Sequence, residues 1–303
     1  MTTTTVVQVE GRDLKLSNLD KVLFPSVGLT KAGVIDYYSR IAPYILPHLK
    51  DRPLTLKRYP QGVSEDFFYE KRCPSHRPSW MPTARVYSEG NKDWLNYCLI
   101  DSLPALIWVA NLASIEMHTL LARRDAVYQP TAMVFDLDPG SPATVVDCAR
   151  VGLQLRQLLR ELMLDSYIKT SGGKGLHMYV PLNTSVTYDD TKPLARALAG
   201  LMEERNPIVT SNMRKDARTN KVFIDWSQND EHKTTVCVYS MRARERPSVS
   251  TPLEWEEVER LAQTGDADAV TFLTEDAISR ARRMGDLFEP ALKQKQRLRK
   301  YVP

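Results

Sequence analysis

Three aspartates stand out by where they fall in the chain. The run Met133-Val134-Phe135-Asp136-Leu137-Asp138-Pro139-Gly140 carries an apolar stretch into two carboxylates and stops at a Pro-Gly turn signal. Such a run reads as a buried strand ending at a sheet edge. Residues two apart on a strand share a face, so Asp136 and Asp138 project together. Adjacent carboxylates repel, and burying both unpaired is costly. A hard divalent cation resolves that conflict, because Mg²⁺-type ions take one or two carboxylates together with substrate phosphates. Val222-Phe223-Ile224-Asp225-Trp226 repeats the theme with a single acid. This donor set suits phosphoryl or nucleotidyl transfer. The plainer alternative is a turn in which one Asp caps a helix beginning near Ser141-Pro142.

Further residues suit an anionic ligand. Ser171-Gly172-Gly173-Lys174-Gly175 lies between two strand-like segments, the second of which carries His177. A Gly-rich turn with a Ser and a Lys lets backbone N–H groups and an ammonium approach an anion. It is no Walker loop, since the G-x-x-x-x-G-K-[ST] spacing is absent and a strand follows. Residues 205 to 246 hold nine Lys/Arg against five Asp/Glu, an excess of 9 − 5 = 4 that equals the net charge of the whole chain. Asn18 and Lys21 precede a helix expected to start at Thr30, with Lys31 at its first position. They read either as a phosphate site at a helix N-terminus or as a solvated loop. Phe67-Phe68-Tyr69 offers base stacking or ordinary core packing. Cys73-Pro74-Ser75-His76 lacks a second Cys/His pair, so no zinc is expected. His118 is read as continuing the buried stripe of a helix opened by Asp101-Ser102-Leu103-Pro104, after Ile107, Trp108, Leu112 and Ile115.

These residues must be positioned by a sizeable fold. The 303 residues, 43% hydrophobic and 26% charged, suit one large soluble domain or two ordinary ones. No apolar run approaches the roughly 20 residues of a membrane span, and Met1-Thr2-Thr3-Thr4-Thr5 has no secretory character. Cys73, Cys98, Cys148 and Cys237 are scattered, which predicts reduced thiols and a cytoplasmic setting. Helices are expected over residues 31–45, 142–163 and 190–204, with another opened by a capping box at Thr251-Pro252-Leu253-Glu254. The basic end (Lys293, Lys295, Arg297, Arg299, Lys300) reads as a nucleic-acid-facing tail or a frayed terminus. Strand–helix alternation with hairpins predicts an α/β or α+β fold with mixed sheets.

Taken together, the acids and the S-x-x-K-G-x-H pattern resemble the archaeo-eukaryotic primase (prim-pol) superfamily. The closer resemblance is to the polymerase domain of bacterial ligase D and its stand-alone archaeal relatives in non-homologous end joining. It rests on LSNLDKVLFP (16–25), TKAGVIDYY (30–38), RPLTLKRYP (52–60), FFYEK (67–71), IEMH (115–118), FDLDPG (135–140), TSGGKGLHMYVPL (170–182), KVFIDWSQN (221–229) and KTT…YSMRAR (233–244). The resemblance implies one polymerase module over 1–303. An N-terminal lobe would span about 1–125 and an RRM-like catalytic lobe about 126–303.

It also implies roles. Asp136, Asp138 and Asp225 would bind two divalent ions, Mn²⁺ or Mg²⁺. His118, Ser171, Lys174, His177, Lys233, Arg242 and Arg244 would contact the nucleotide, and Asn18, Lys21 and Lys31 a downstream 5′-phosphate. Lys57, Phe67, Phe68, Arg218 and Gln228 would contact DNA, the two rings by stacking and Arg218 in a loop for end synapsis. Implied partners are DNA ends and gapped duplex, ribo- or deoxyribonucleoside triphosphates, Ku, and an ATP-dependent ligase, near the nucleoid. The activity implied is gap filling, untemplated addition and end bridging.

There are departures. IEMH is followed by Thr119-Leu120-Leu121 where relatives carry Pro and aromatics. No K-x-D-G ligase motif or primase-type zinc module occurs, so nick sealing is not expected and de novo priming is a weaker expectation than extension. Two other readings are weighed. A phosphatase of the haloacid dehalogenase type also begins with D-x-D, but Gly140 stands where its Thr commonly does. A non-catalytic end-bridging module would not need all three acids.

Overall fold

The computed structural model describes residues 4–88 and 92–298. Arg299 and Lys300 of the basic end therefore lie outside the described residues. The chain forms two units, one of Met1–Leu120, Thr234–Ser250 and Phe272–Asp286, the other of Leu121–Lys233, Thr251–Thr271 and Leu287–Pro303. The chain leaves the first unit after Leu120 and returns to it over Thr234–Ser250 and Phe272–Asp286. Arg242 and Arg244 thus belong to the unit that holds His118.

In the first unit an antiparallel sheet runs in the order Thr234–Val236, Ser114–Leu120, Leu54–Arg58, Asp93–Cys98, Thr83–Ser88, and Phe68–Glu70 also pairs with Leu54–Arg58. Helix Lys31–Leu49 starts where expected: the Thr30 side chain accepts from the Gly33 N–H. Its apolar stripe buries Val34, Ile35, Tyr38, Ile41 and Ile45, and the Tyr38 hydroxyl donates to the Ile115 carbonyl at 2.6 Å.

Three expectations are corrected. Helix Leu103–Asn111 starts after Ser102 and stops short, so Ile115 and His118 lie on the strand Ser114–Leu120. That strand is buried on both faces, so it lacks alternation and its apolar residues continue a helical period by coincidence. Pro252 does not open a helix either. Pro252–Leu253 is an edge strand, and Glu254 caps helix Trp255–Thr264 with a box closed by Glu257. Finally, Cys73 and Cys98 form a disulfide, while Cys148 and Cys237 are buried thiols outside any disulfide. The Cys73 N–H donates to the Asn96 carbonyl at 2.7 Å, which lays Cys73 alongside the strand that ends in Cys98.

The second unit holds a six-stranded sheet in the order Val209–Thr210, Val222–Asp225, Ala132–Pro139, Leu176–Pro181, Tyr167–Thr170, Pro252–Leu253. All pairings are antiparallel except the parallel one between Val209–Thr210 and Val222–Asp225. Helix Val145–Glu161 begins at a Thr144/Asp147 capping box, and helix Tyr188–Arg205 at a Thr187/Asp190 box. Ala132–Pro139 lies inside the sheet, with Met133, Val134, Phe135 and Leu137 fully buried. Asn229, also fully buried, clamps it: its amide oxygen accepts from the Val134 N–H at 2.8 Å and its NH₂ donates to the Val134 carbonyl at 2.7 Å. Among the described residues no helix is long and apolar enough to cross a membrane.

Candidate active site

The sheet of the second unit sets four polar residues in one row. Asp225 is directly opposite Asp136, Asp136 opposite His177, and His177 opposite Lys169. Residues directly opposite on neighbouring strands share a face, so the row runs across four strands through an apolar sheet. Asp138 lies on the same face as Asp136 and is exposed at the strand end.

Contacts along the row follow from the register. Lys169, fully buried, places Nζ 3.1 Å from His177 Nδ1, and His177 Nε2 lies 3.3 Å from Asp136 Oδ1. An ammonium only donates, so Nδ1 accepts and the imidazole proton sits on Nε2, facing the carboxylate. Asp225 is held from the other side. Its Oδ1 accepts from the Ser227 N–H and hydroxyl at 2.9 and 2.6 Å, and its Oδ2 from the Gln228 amide at 2.9 Å. Gln228, expected to contact DNA, also orients Asp225.

Two motif glycines keep the acids' surroundings tight. A Cβ on Gly140 would lie 1.9 Å from the Arg218 carbonyl oxygen, and one on Gly175 2.0 Å from the Leu137 carbonyl oxygen. The Ser171 hydroxyl accepts from the Gly173 and Gly175 N–H groups at 3.1 and 3.2 Å, so it shapes the turn from within. Lys174 and Lys233 are exposed. The Arg218 guanidinium stacks 3.7 Å from the Phe223 ring centroid.

Among the described residues no three His, Cys, Asp or Glu side chains converge closely enough to enclose an ion by themselves. The donor chemistry nevertheless fits a hard cation completed by substrate oxygens. Asp136 and Asp225 are opposed carboxylates on one face, with Asp138 beside them.

The first unit carries a second constellation, centred on a residue that no sequence motif singles out. Glu116, only 2% exposed, places Oε2 3.0 Å from His118 Nε2 and 3.1 Å from Arg242 Nε. Its Oε1 lies 3.5 Å from Lys57 Nζ, 3.4 Å from the Tyr59 hydroxyl and 3.2 Å from the Ala243 N–H. Burial pushes the Glu116 carboxyl up, but the His118 hydrogen bond and the charges of Arg242 and Lys57 bring it down to about 2. Burial lowers His118 below the ordinary imidazole range against the opposing pull of Glu116, and it lowers Lys57 as well. IEMH points to its histidine; the importance of its acid rests on the strand pairing of Lys57 with Glu116, which no local pattern signals.

Phe67 and Phe68 are 48% and 43% exposed, with Lys57 Nζ 4.0 Å from the Phe67 ring centroid and Arg58 5.1 Å from that of Phe68. Arg244 is exposed.

Asn18, Lys21 and Lys31 are brought together by backbone. The Lys21 N–H donates to the Asn18 carbonyl at 3.1 Å, and the Lys31 N–H to the Lys21 carbonyl at 2.8 Å. Lys21 Nζ donates to Gln61. Lys31 is buried and donates to the Asn111 carbonyl at 2.7 Å. Burial first, then the neighbouring charges of Lys21 and Arg58, lower its ammonium to about 8.

The geometry can be set beside known proteins. The multifunctional non-homologous end joining protein LigD of Mycolicibacterium smegmatis is 39% identical over 280 residues, an alignment that covers 91% of this chain and 36% of that protein. The bifunctional non-homologous end joining protein LigD of Bacillus subtilis is 31% identical over 252 residues, covering 81% and 39% respectively. The chain therefore spans somewhat over a third of the length of these curated relatives. The structure of the polymerase domain from Mycobacterium tuberculosis ligase D in complex with DNA superposes with a TM-score of 0.85 at 35% identity, covering 93% of this chain and 99% of that one. Residues 30–288 match the family described as LigD, primase-polymerase domain, and the chain belongs to that family.

Proposed function

We propose that this chain is a metal-dependent nucleotidyltransferase that extends 3′ ends at gaps and breaks in DNA, as the polymerase module of an end-joining repair system. The observation that carries this reading is the row Asp225–Asp136–His177–Lys169 in a LigD primase-polymerase chain. Two divalent ions, Mn²⁺ or Mg²⁺, held by Asp136, Asp138 and Asp225, would activate a primer 3′-hydroxyl and neutralise the triphosphate.

The chain's own residues supply the rest. His177, held by Lys169, keeps its Nε2 proton toward Asp136 and so fixes that carboxylate, while Ser227 and Gln228 fix Asp225. Lys174 and Lys233 offer exposed ammonium groups to the triphosphate, and Ser171 shapes the turn that presents Lys174. His118, Arg242 and Arg244 are further nucleotide contacts. Phe67 and Phe68, with Lys57, offer rings and a cation to a template strand. Asn18, Lys21 and Lys31 grip a downstream 5′-phosphate, and Arg218 serves end bridging. Ku and an ATP-dependent ligase, fused or separate, are the proposed partners.

The phosphatase reading loses ground on geometry. No side chain fits at position 140, where its threonine would stand, because a Cβ meets backbone at 1.9 Å.

The test is extension of a gapped, 5′-phosphorylated duplex. The wild type extends it when Mn²⁺ or Mg²⁺ is added, and Asp136→Ala combined with Asp138→Ala abolishes extension while duplex affinity stays within about twofold. Extension retained by the double variant would refute the assignment.

A further inference from the structure

We propose that Glu116 is the positioning residue of the nucleotide-facing cluster in the first unit, a buried carboxylate that sets the tautomer of His118 and holds Lys57 and Arg242 around it. The inference rests on the polymerase reading for what the cluster faces, but its physical content is independent of that reading.

Each hydrogen-bond partner of the Glu116 carboxylate supplies a hydrogen, Lys57 Nζ, Tyr59 OH and Ala243 N–H to Oε1 and His118 Nε2 to Oε2, while Arg242 Nε lies 3.1 Å from Oε2 as an ion-pair contact. Lysine, arginine and a backbone amide cannot accept, so only a group that accepts on both oxygens satisfies the site. An amide of the same shape cannot do this. Turned one way, the Gln NH₂ would meet Arg242 and His118; turned the other, it would meet Lys57 and the Ala243 N–H. A buried acid ringed by donors stays ionised, in keeping with the depressed pKa of this carboxyl.

The consequence for His118 follows. With Oε2 accepting from Nε2, the neutral ring carries its proton there and leaves Nδ1 as an acceptor. Burial keeps the ring neutral by lowering its pKa. His118 is thus presented as an acceptor for a ligand hydroxyl or N–H. The Ala243 contact ties down the backbone between Arg242 and Arg244, so one carboxylate holds two cations, an imidazole and the backbone that leads to Arg244. Removing the acid while keeping the cations would leave like charges facing each other in a buried site, and the cluster would splay.

The test uses the full chain with Glu116→Gln and Glu116→Asp. Nitrogen-15 NMR of the His118 ring, recorded without nucleotide, reports the tautomer. Steady-state extension separates the nucleotide KM from kcat, and thermal melting checks folding. The wild type and Glu116→Asp show the Nε2–H form, and Glu116→Gln shows the Nδ1–H form or a mixture. Glu116→Gln raises the nucleotide KM about tenfold with kcat changed less than about threefold, and Glu116→Asp recovers most of that loss. An Nδ1–H tautomer in the wild type, or a nucleotide KM within about twofold of wild type in a folded Glu116→Gln variant, overturns the inference. Should Glu116→Gln not fold, the wild-type and Glu116→Asp tautomers decide it. A wild-type chain that extends no primer counts against the polymerase reading instead, and the tautomer is still read.

Discussion

Asp136 and Asp225, distant in sequence, are directly opposed on neighbouring antiparallel strands. Opposed residues bring their Cβ atoms to roughly 4.5–5.5 Å, and like charges so placed are destabilising. The protein tolerates the pair by holding each acid from its outer side, Asp136 through His177 and Asp225 through Ser227 and Gln228. Asp225→Asn removes the charge and leaves the shape. It is expected to lower extension by at least about a thousandfold. Because the like-charge contact is gone, the melting temperature should hold or rise. A variant with more than a tenth of wild-type activity, measured in single turnover, would remove Asp225 from the chemistry.

Lys169 illustrates the same compromise one step further from the acids. It is a fully buried cation whose ammonium meets His177 Nδ1. Replacing a buried charge by an apolar side chain of similar size is often neutral or stabilising. Lys169→Met is therefore expected to keep or raise the melting temperature while lowering kcat about tenfold, as His177 loses its fixed orientation. Unchanged kcat in a folded variant would reduce Lys169 to a structural role.

Much of this site was legible in the sequence, and the missing part has a physical reason. Apolar runs stopped by Pro-Gly or by an acid announced the strands of Asp136 and Asp225, and Thr30 announced its helix. Strand register is a long-range property, so nothing local could say that Asp225 would face Asp136 rather than Asp138. His118 reads as a helical residue because Ser114–Leu120 is buried on both faces and shows no alternation. Glu116 is not legible locally, because its meaning lies in Lys57, Arg242 and Ala243, which reach it from other segments. The Cys73–Cys98 bond was hidden by the pairing of Cys73 with a strand edge, which spacing does not reveal.

The proposed 5′-phosphate pocket has a pH signature. Lys31 falls from the ordinary 10.5 to about 8, chiefly through burial. Below pH 8 it is charged in both folded and unfolded chains. As pH rises above 8, the folded chain gives up this proton first, so this group's contribution to stability grows toward pH 10.5 while its attraction for phosphate is lost. The ratio of kcat/KM on 5′-phosphorylated against 5′-hydroxyl gapped duplex should therefore fall between about pH 8 and pH 9.5. Lys31→Ala should show a low, flat ratio, and a flat, high ratio in the wild type would place the phosphate elsewhere.

Gly140 predicts a stability effect with no change of charge. Its missing side chain lets the Arg218 backbone approach, and its N–H donates to the Lys221 carbonyl at 2.8 Å. Gly140→Ala forces two backbones apart and is expected to cost roughly 2–4 kcal/mol. Gly200→Ala, where a Cβ meets nothing, should be close to neutral. Chemical denaturation of both variants checks the contrast, and equal effects would contradict it.

The most direct test of the account is a crystal of this chain grown with Mn²⁺ and a non-hydrolysable nucleoside triphosphate, measured for anomalous scattering at the manganese edge. The account predicts manganese beside Asp136, Asp138 and Asp225, with carboxylate and phosphate oxygens as its ligands. A nucleotide bound with no manganese peak on these three acids, or a peak that leaves Asp225 unligated, would contradict it.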